Sequence, residues 1–482
     1  MSRAPTWCLL VILLSLQVVL HVRYLNLPPI GFHQWRQTMT LSVARNFHEG
    51  DMDFFTPRTD YLADSTGIAG MEFPLVNYII ALGYRAFGFS HAIGRGLVLL
   101  FSLIAIVGCF VFARRLFGSE LLGFAASLFL MSSPLFAYYS ITVLPDVPML
   151  AFLFLGLYGL WRWSESPSVG FLALGIGCST LAALVKMSTL AAVPAGVLLF
   201  WLGLRRAPSR MRFLGLALTT CGCSAVAAWY TYARHLNRVH ENEVYALYPR
   251  IPYALSVIRP ALTKLLFQWL PELFVNYAGL VFLLIGMVAV ARAKSEPIRP
   301  FVVALTLGAV VYVIAFLPML DRHDYYMVST LPLLVVVVTA GFRQARVWAL
   351  GHRPRVLALA ALVVVALVLG PVRGFSRLEE KGVPEDLATL EPVLDATLPD
   401  RTTPIIVADD RSPSIFLYFM HRKGWAVTDA MTEADLESLK RRGAGYLVSN
   451  SRELEARPDV ARDLVEIGSH GRFRIFRVAP SK

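Results

Sequence analysis

The chain has 482 residues, 56% hydrophobic and only 16% charged, with 45 Lys and Arg against 33 Asp and Glu for a net charge of +12. Soluble proteins carry about 25% charged residues, so this composition and a mean hydropathy of +0.57 exclude an ordinary water-soluble enzyme and indicate an α-helical polytopic membrane protein. The positive excess sits in short loops between apolar runs, a pattern that orients membrane proteins, and no nucleic-acid partner is expected. Cys8, Cys109, Cys178, Cys221 and Cys223 all lie in or beside apolar runs, which argues against a disulfide framework or a cysteine zinc site.

In chain order, "WCLLVILLSLQVVL" (7–20) comes close to the roughly 20 apolar residues a crossing needs. Lacking a small-residue cleavage site, it is expected to be a retained helix. The polar "HQWRQTMTLSVARNF" (33–47) follows, with Trp35, Met39, Val43 and Phe47 on one stripe and His33, Arg36, Gln37 and Thr40 opposite. That spacing predicts an amphipathic helix lying in the membrane interface. Two readings stay open: a plain anchor, or a surface that recognises a polar headgroup through one arginine among neutral hydrogen-bonding groups. In "GMEFPLVNYI" (70–79), Glu72 stands just before Pro74 and a helix start. A carboxylate is favourable there, either as electrostatics alone or as a general base toward a hydroxyl. The run 75–88 is short for a crossing and is expected to be interfacial or re-entrant.

Apolar runs at 7–22, 96–113, 120–139, 147–163, 169–185, 187–204, 213–232, 273–291, 300–319, 325–342 and 356–373 predict eleven spans. With the N-terminus cytoplasmic and 75–88 not crossing, the basic loops at Arg114–Arg115, 205–212, 292–299 and 343–355 all fall inside, as the positive-inside rule requires. The same count sends outward a first external loop (about 23–95), "SITVLPDVP" (140–148), Lys186, the loop 233–272, "DRHDYY" (321–326) and the tail. Asp146 in "VLPDVPM" is a turn and cap or a functional carboxylate, and Lys186 a snorkelling cation or a phosphate binder. "MLDRHDYYMVSTLPLL" (319–334) gathers Asp321, Arg322, His323, Asp324, Tyr325 and Tyr326 at an outer helix end. Two aspartates with a histidine also suit a metal, but no spacing supports one and no cofactor is predicted.

Two domains are expected: a transmembrane catalytic domain over 1–373 and a small extracytoplasmic α/β domain over 374–482. In the latter, "TPIIVADD", "AGYLVSN" and "RFRIFRVA" read as strands and "TEADLESLKRRG" as a capped amphipathic helix.

The long first external loop, "EFPLVNYIIALGYRAFG", "GRGLVLLFSLIAIVGCFVFARRLFG" and the proline-flanked "LPD" together resemble the GT-C membrane glycosyltransferases. The resemblance is nearest to the group of protein O-mannosyltransferases and the lipid A aminoarabinose transferase, and covers roughly residues 1–345. It implies an enzyme, a hexosyl- or pentosyltransferase, that takes a sugar from a polyprenyl-phosphate carrier and passes it to a hydroxyl on a glycan, lipid or protein outside a bacterial inner membrane. Those relatives carry an acidic residue where His33 and Gln34 stand here, in "HQWRQ", the mark of a bacterial subgroup. The acidic role therefore passes to Glu72, with Asp146 matching the "LPD" aspartate and His33 beside them as catalytic candidates. Arg36, Gln37, Lys186, His323, Asp324 and Tyr325 are the candidates for the donor phosphate and substrate. A transporter or lipid flippase is the competing expectation, without a midplane polar site or an internal repeat to support it; a non-catalytic scaffold that uses the outer domain for assembly is a third.

Overall fold

The computed structural model describes residues 4–245, 255–294, 296–320, 322–410 and 412–480. The chain divides into two compact units: Met1–Leu27, His91–Trp229 and Tyr248–Glu379 in one, and Pro28–Ser90, Tyr230–Leu247 and Glu380–Lys482 in the other.

The first unit is the membrane bundle. Among the described residues, seven helices are long and apolar enough to cross: His91–Phe117, Asp146–Glu165, Met187–Arg206, Ser209–Val239, Ile298–Leu317, Asp324–Ala349 and Arg353–Ser376. The predicted run 273–291 is the second half of a pair, Ile258–Phe274 and Asn276–Arg292, bent by 111°. The other predicted runs are shorter apolar helices, Cys8–Tyr24, Glu120–Met131 and Val169–Val185, and the doubtful run 75–88 is likewise a short helix, Leu75–Phe87. The protein is a multi-pass membrane protein.

Local chemistry explains the interruptions. Predicted span 120–139 stops at Met131, and Ser133 then caps a new helix with Pro134 in its first turn. The 111° bend falls beside Asn276, whose φ is 54°, a left-handed conformation that Asn tolerates better than most residues. Its side chain serves the freed backbone: Nδ2 donates to Ser132 O and Ala366 O, and Oδ1 accepts from Gly279 N. Where Asn276–Arg292 crosses Leu331–Ala349, the backbones touch. A Cβ at Gly286 would sit 1.9 Å from Val337 O, and one at Gly341 1.8 Å from Phe282 O. Small residues permit this approach, which lipid-embedded helices use in place of a hydrophobic driving force.

The second unit holds a five-stranded sheet of order β2-β1-β3-β5-β4. The strands are β1 (Ile405–Ala408), β2 (Gly424–Val427), β3 (Tyr446–Ser449), β4 (Leu464–His470) and β5 (Phe473–Val478). β1 is parallel to β2 and β3, while β5 runs antiparallel to both β3 and β4. The parallel steps need crossovers, supplied by Ile415–Met420 and by Glu433–Arg441. The latter helix opens with the predicted cap, a reciprocal box between Thr432 and Asp435. Four-residue apolar strands are buried on both faces, as parallel strands under helices must be. Ile406 and Leu447 pack with Trp425 and Leu436 on one side, and Ile405 and Val448 with Leu390 and Leu417 on the other. Residues from the first loop finish the edge. Leu62 N donates to Gly424 O and Gly424 N to Asp60 O, at 2.9 and 3.0 Å. Gly424 is required there, since a Cβ would fall 1.7 Å from Ile405 O.

Candidate functional site

The candidate residues fall into two groups, one in each unit. In the second unit the expected helix forms as Gln34–Glu49, and Met39, Val43 and Phe47 pack with Met71, Ala81 and Tyr245 as the stripe predicts. The surface-anchor reading needs correcting, because the polar face is buried too: Arg36, Gln37 and Thr40 are each at most 6% exposed. A helix lying on lipid would leave that face in water. This one turns it toward protein partners.

His33 precedes the helix in a left-handed conformation, φ 58° and ψ 35°, and its carbonyl accepts from Arg36 N and Gln37 N. The glutamine amides hold the incoming loop, Gln34 to Pro29 O at 3.0 Å and Gln37 to Ile30 O at 2.7 Å. Arg36 reaches 36 residues along the chain to Glu72. Its Nη2 lies 2.6 Å from Oε1 and 2.8 Å from Oε2, and its guanidinium stacks 4.5 Å from the Tyr245 ring centre. About two and a half turns further on, Arg45 and Asn46 both bind Asp60, at 2.7 and 2.8 Å. Sequence inspection singled out neither Arg45 nor Asp60, since nothing local marks residues 15 apart as partners. The helix is clamped by the tail of the same unit: Ser414 Oγ donates to Trp35 O at 3.0 Å, Arg45 donates to Tyr418 O, and His421 pairs with Glu49 at 2.6 Å. Near that clamp, burial pushes the Asp410 carboxyl up to about 6, although Phe416 N and Ser412 N donate to it.

In the first unit, Lys186 Nζ lies 2.7 Å from Asp146 Oδ2, with the side chains 3% and 0% exposed. The Val169–Val185 helix stops at Lys186, which is extended at φ −161° before the short 3₁₀ turn Met187–Ala192. Asp146 begins the Asp146–Glu165 helix directly after Pro145, where the helix dipole favours an anion. The ammonium is 4.3 Å from the Tyr325 ring centre and 5.3 Å from that of Tyr326, a cation–π arrangement. Next to Tyr325, Asp324 accepts from Tyr139 OH at 2.6 Å and pairs with Arg377 Nη2 at 2.6 Å. Arg377 in turn stacks 4.5 Å from the Tyr138 ring centre. His323 precedes the Asp324–Thr330 turn with its ring 5.4 Å from Tyr325. Asp321 lies outside the described residues. Arg377, Tyr138 and Tyr139 are the members that sequence inspection missed; they stand in stretches read as helix and as the start of the tail.

Each group is thus built from cations neutralised by carboxylates and faced by aromatic rings. Such a set can hold a phosphate, exchange an arginine or lysine between two anions, and accept a proton on a carboxylate. Among the described residues, no three His, Cys, Asp or Glu side chains gather as a metal site.

Residues 72–229, which include Glu72, Asp146 and Lys186, match the family model described as dolichyl-phosphate-mannose-protein mannosyltransferase. A curated protein of Aquifex aeolicus (strain VF5), itself uncharacterized, is 28% identical over 170 residues, 35% of this chain; the match spans about a third (34%) of that relative's length. Among solved structures, ArnT from Cupriavidus metallidurans in the apo state superposes with a TM-score of 0.65 at 15% identity, covering 99% of this chain and 98% of that one. The same protein bound to undecaprenyl phosphate gives 0.63 at 13% identity, covering 97% of each chain. The Archaeoglobus fulgidus oligosaccharyltransferase AglB, in complex with an inhibitory peptide and a dolichol-phosphate, gives 0.56 at 11% identity over 92% of this chain and 69% of that one. At these identities the likeness speaks for architecture, and it runs nearly end to end: the chain has an ArnT-like GT-C fold.

Proposed function

We propose that this protein is a glycosyltransferase that moves a sugar from a polyprenyl-phosphate carrier to a hydroxyl acceptor at the outer face of a bacterial plasma membrane, with its N-terminus in the cytoplasm. The observation that carries this reading is the Lys186–Asp146 pair under Tyr325 and Tyr326. A lysine buried among membrane helices is expensive and marks function by default. A phosphate on a lipid tail is the anion most naturally met there. The ArnT and AglB structures with polyprenyl phosphates bound support the same donor class.

In the first unit, Lys186 and His323 are the cations proposed for the donor phosphate, with Asp324 and Tyr325 as its polar surroundings; in the second, Arg36 and Gln37 are the residues proposed for substrate recognition. Asp146 holds Lys186 in place. Arg36 Nη2 reaches both carboxylate oxygens of Glu72 and holds that side chain in place; Glu72 is the proposed base. The acceptor oxygen then attacks the anomeric carbon, the carbon–oxygen bond to phosphate breaks, the acceptor proton passes to Glu72, and the carrier phosphate leaves with the electron pair. A phosphate leaving group needs charge stabilisation more than protonation, which suits a site rich in cations. His33, whose left-handed backbone sets the entry to the helix, places Arg36.

Purified protein incubated with radiolabelled polyprenyl-phosphate sugars and hydroxyl acceptors tests the proposal. Labelled acceptor is expected. Movement of the carrier across vesicles without product would indicate a flippase instead, and neither outcome in the presence of bound donor would favour a scaffold.

A further inference from the structure

Three membrane helices, Asn276–Arg292, Leu331–Ala349 and Arg353–Ser376, line a half-open cavity of about 340 Å³. Phe282, Ile285 and Leu362 are among its walls, and Gln344, Trp348 and Arg355 stand at its mouth. Leu331 directly follows the Asp324–Thr330 turn that carries part of the candidate site. From Leu331 to Trp348 the helix advances about 25 Å at 1.5 Å per residue. The cavity therefore opens near the opposite membrane face from Asp324 and is not part of the site described above.

We propose that this cavity seats one anionic phospholipid, an acyl chain between the helices and the phosphate on Arg355. The size falls in the range of ligand sites, about 300–1,000 Å³, and its apolar walls suit hydrocarbon. The mouth is built for an anion. The Arg355 guanidinium stacks 4.5 Å from the Trp348 ring centre and donates to Trp348 O at 3.4 Å. A stacked guanidinium is already oriented for phosphate oxygens. Trp348 is 60% exposed, as a headgroup-level anchor would be. Charge selects the headgroup: the stretch 343–355 holds Arg343, Arg346, Arg353 and Arg355 and no acid. Of these, Arg343 meets the carboxylate of Glu296 at 2.9 Å, so positive charge remains in surplus. Basic pockets between helices at a membrane surface favour net-negative lipids over zwitterionic ones. The Gly286–Gly341 backbone contact holds two of the three walls together, so the cavity is a fixed feature of the helix crossing.

Native mass spectrometry of the full-length protein, delipidated in detergent and titrated with phosphatidylglycerol or phosphatidylcholine, decides it. One phosphatidylglycerol is expected to be retained in preference to phosphatidylcholine. Arg355→Gln should weaken that retention about five- to tenfold, since one juxtamembrane arginine contributes about 1 kcal/mol. Ala358→Trp, which fills the cavity from an exposed position, should abolish it. Val303→Trp, on a lipid-facing surface elsewhere, should leave it unchanged. Equal retention of the two lipids, or wild-type retention by Arg355→Gln, overturns the proposal. If Ala358→Trp does not fold, the arginine variant decides alone. Lipid retention does not depend on transfer, so its failure would leave the proposed activity standing.

Discussion

Removing Lys186 has two separable effects, and they must be measured apart. Asp146 is 0% exposed and its Oδ2 lies 2.7 Å from the Lys186 ammonium. Lys186→Met leaves that carboxylate buried without its counter-ion, which costs about 3–5 kcal/mol where one partner of a buried pair is deleted. Asp146→Asn strands the ammonium in the same way, with the Tyr325 ring 4.3 Å away as partial compensation, and so should cost less. The double variant Lys186→Met/Asp146→Asn removes both charges and should recover most of the loss, so that its cost falls below that of either single variant and the coupling exceeds both single losses. Thermal unfolding in detergent at fixed lipid content reports that coupling. Binding of a polyprenyl phosphate to the same four proteins reports function. The double variant should be stable yet bind the carrier poorly, because the pair's charge is gone while its packing is kept. Additive single-site losses would show that the two groups are not a buried pair. A stable double variant that binds the carrier like the wild type would remove Lys186 from phosphate recognition.

Glu72→Gln should abolish transfer with protein level and membrane insertion intact, and near-normal turnover would take Glu72 out of the mechanism. Gly341→Ala should loosen the helix crossing by about 1–3 kcal/mol, because its Cβ would fall 1.8 Å from Phe282 O; an unchanged melting temperature would refute the backbone contact. Hydrogen bonds to Glu391 and Glu49 raise the His421 pKa above its usual 6.5, while desolvation and Arg45 oppose the rise. A raised folded pKa means this group's stabilisation is complete below pH 6.5 and fades as pH climbs through the folded value. Hydrogen-exchange protection factors of the tail, which divide out the intrinsic rise of exchange with pH, should therefore fall above neutral pH, and His421→Gln should remove that fall. Burial raises Asp410 to about 6 from 3.8, so its ionisation weakens the same unit as pH rises across that interval; carboxyl NMR titration near 4 would contradict it.

Elements whose signal is local were legible in the chain. The capped Glu433–Arg441 helix shows itself in the Thr432 to Asp435 spacing, and β1 and β3 in short apolar runs bounded by turn residues. The Gln34–Glu49 helix followed from its period of about four. Its environment did not, because periodicity reports which residues share a face and not whether the polar face meets water. Polar groups of that helix are satisfied by residues 14 to 379 positions away: Asn46 by Asp60, Arg36 by Glu72 and the Trp35 carbonyl by Ser414. No window centred on residues 33–47 contains those partners.

The same limit governs the charged groups. A lysine interrupting an apolar stretch is conspicuous, so Lys186 was found, and Asp146 was found because prolines frame it. That they neutralise one another follows only from the fold. Parity and the positive-inside rule place both at helix ends without measuring the distance between them. Arg377 shows the converse. It lies at the end of an apolar helix where positive charge is ordinary, yet its side chain is 2% exposed and bound to Asp324. Cost, and not composition, separates it from the other arginines of the chain: a charge at the lipid edge can snorkel to water, whereas a guanidinium enclosed at 2%, which keeps its proton, must have a partner. Enclosure comes from packing against Tyr138 and Tyr139, more than 230 residues earlier in the chain. The residues of greatest functional interest here are therefore those whose desolvation is offset at long range, and that offset becomes visible only when the helices are assembled.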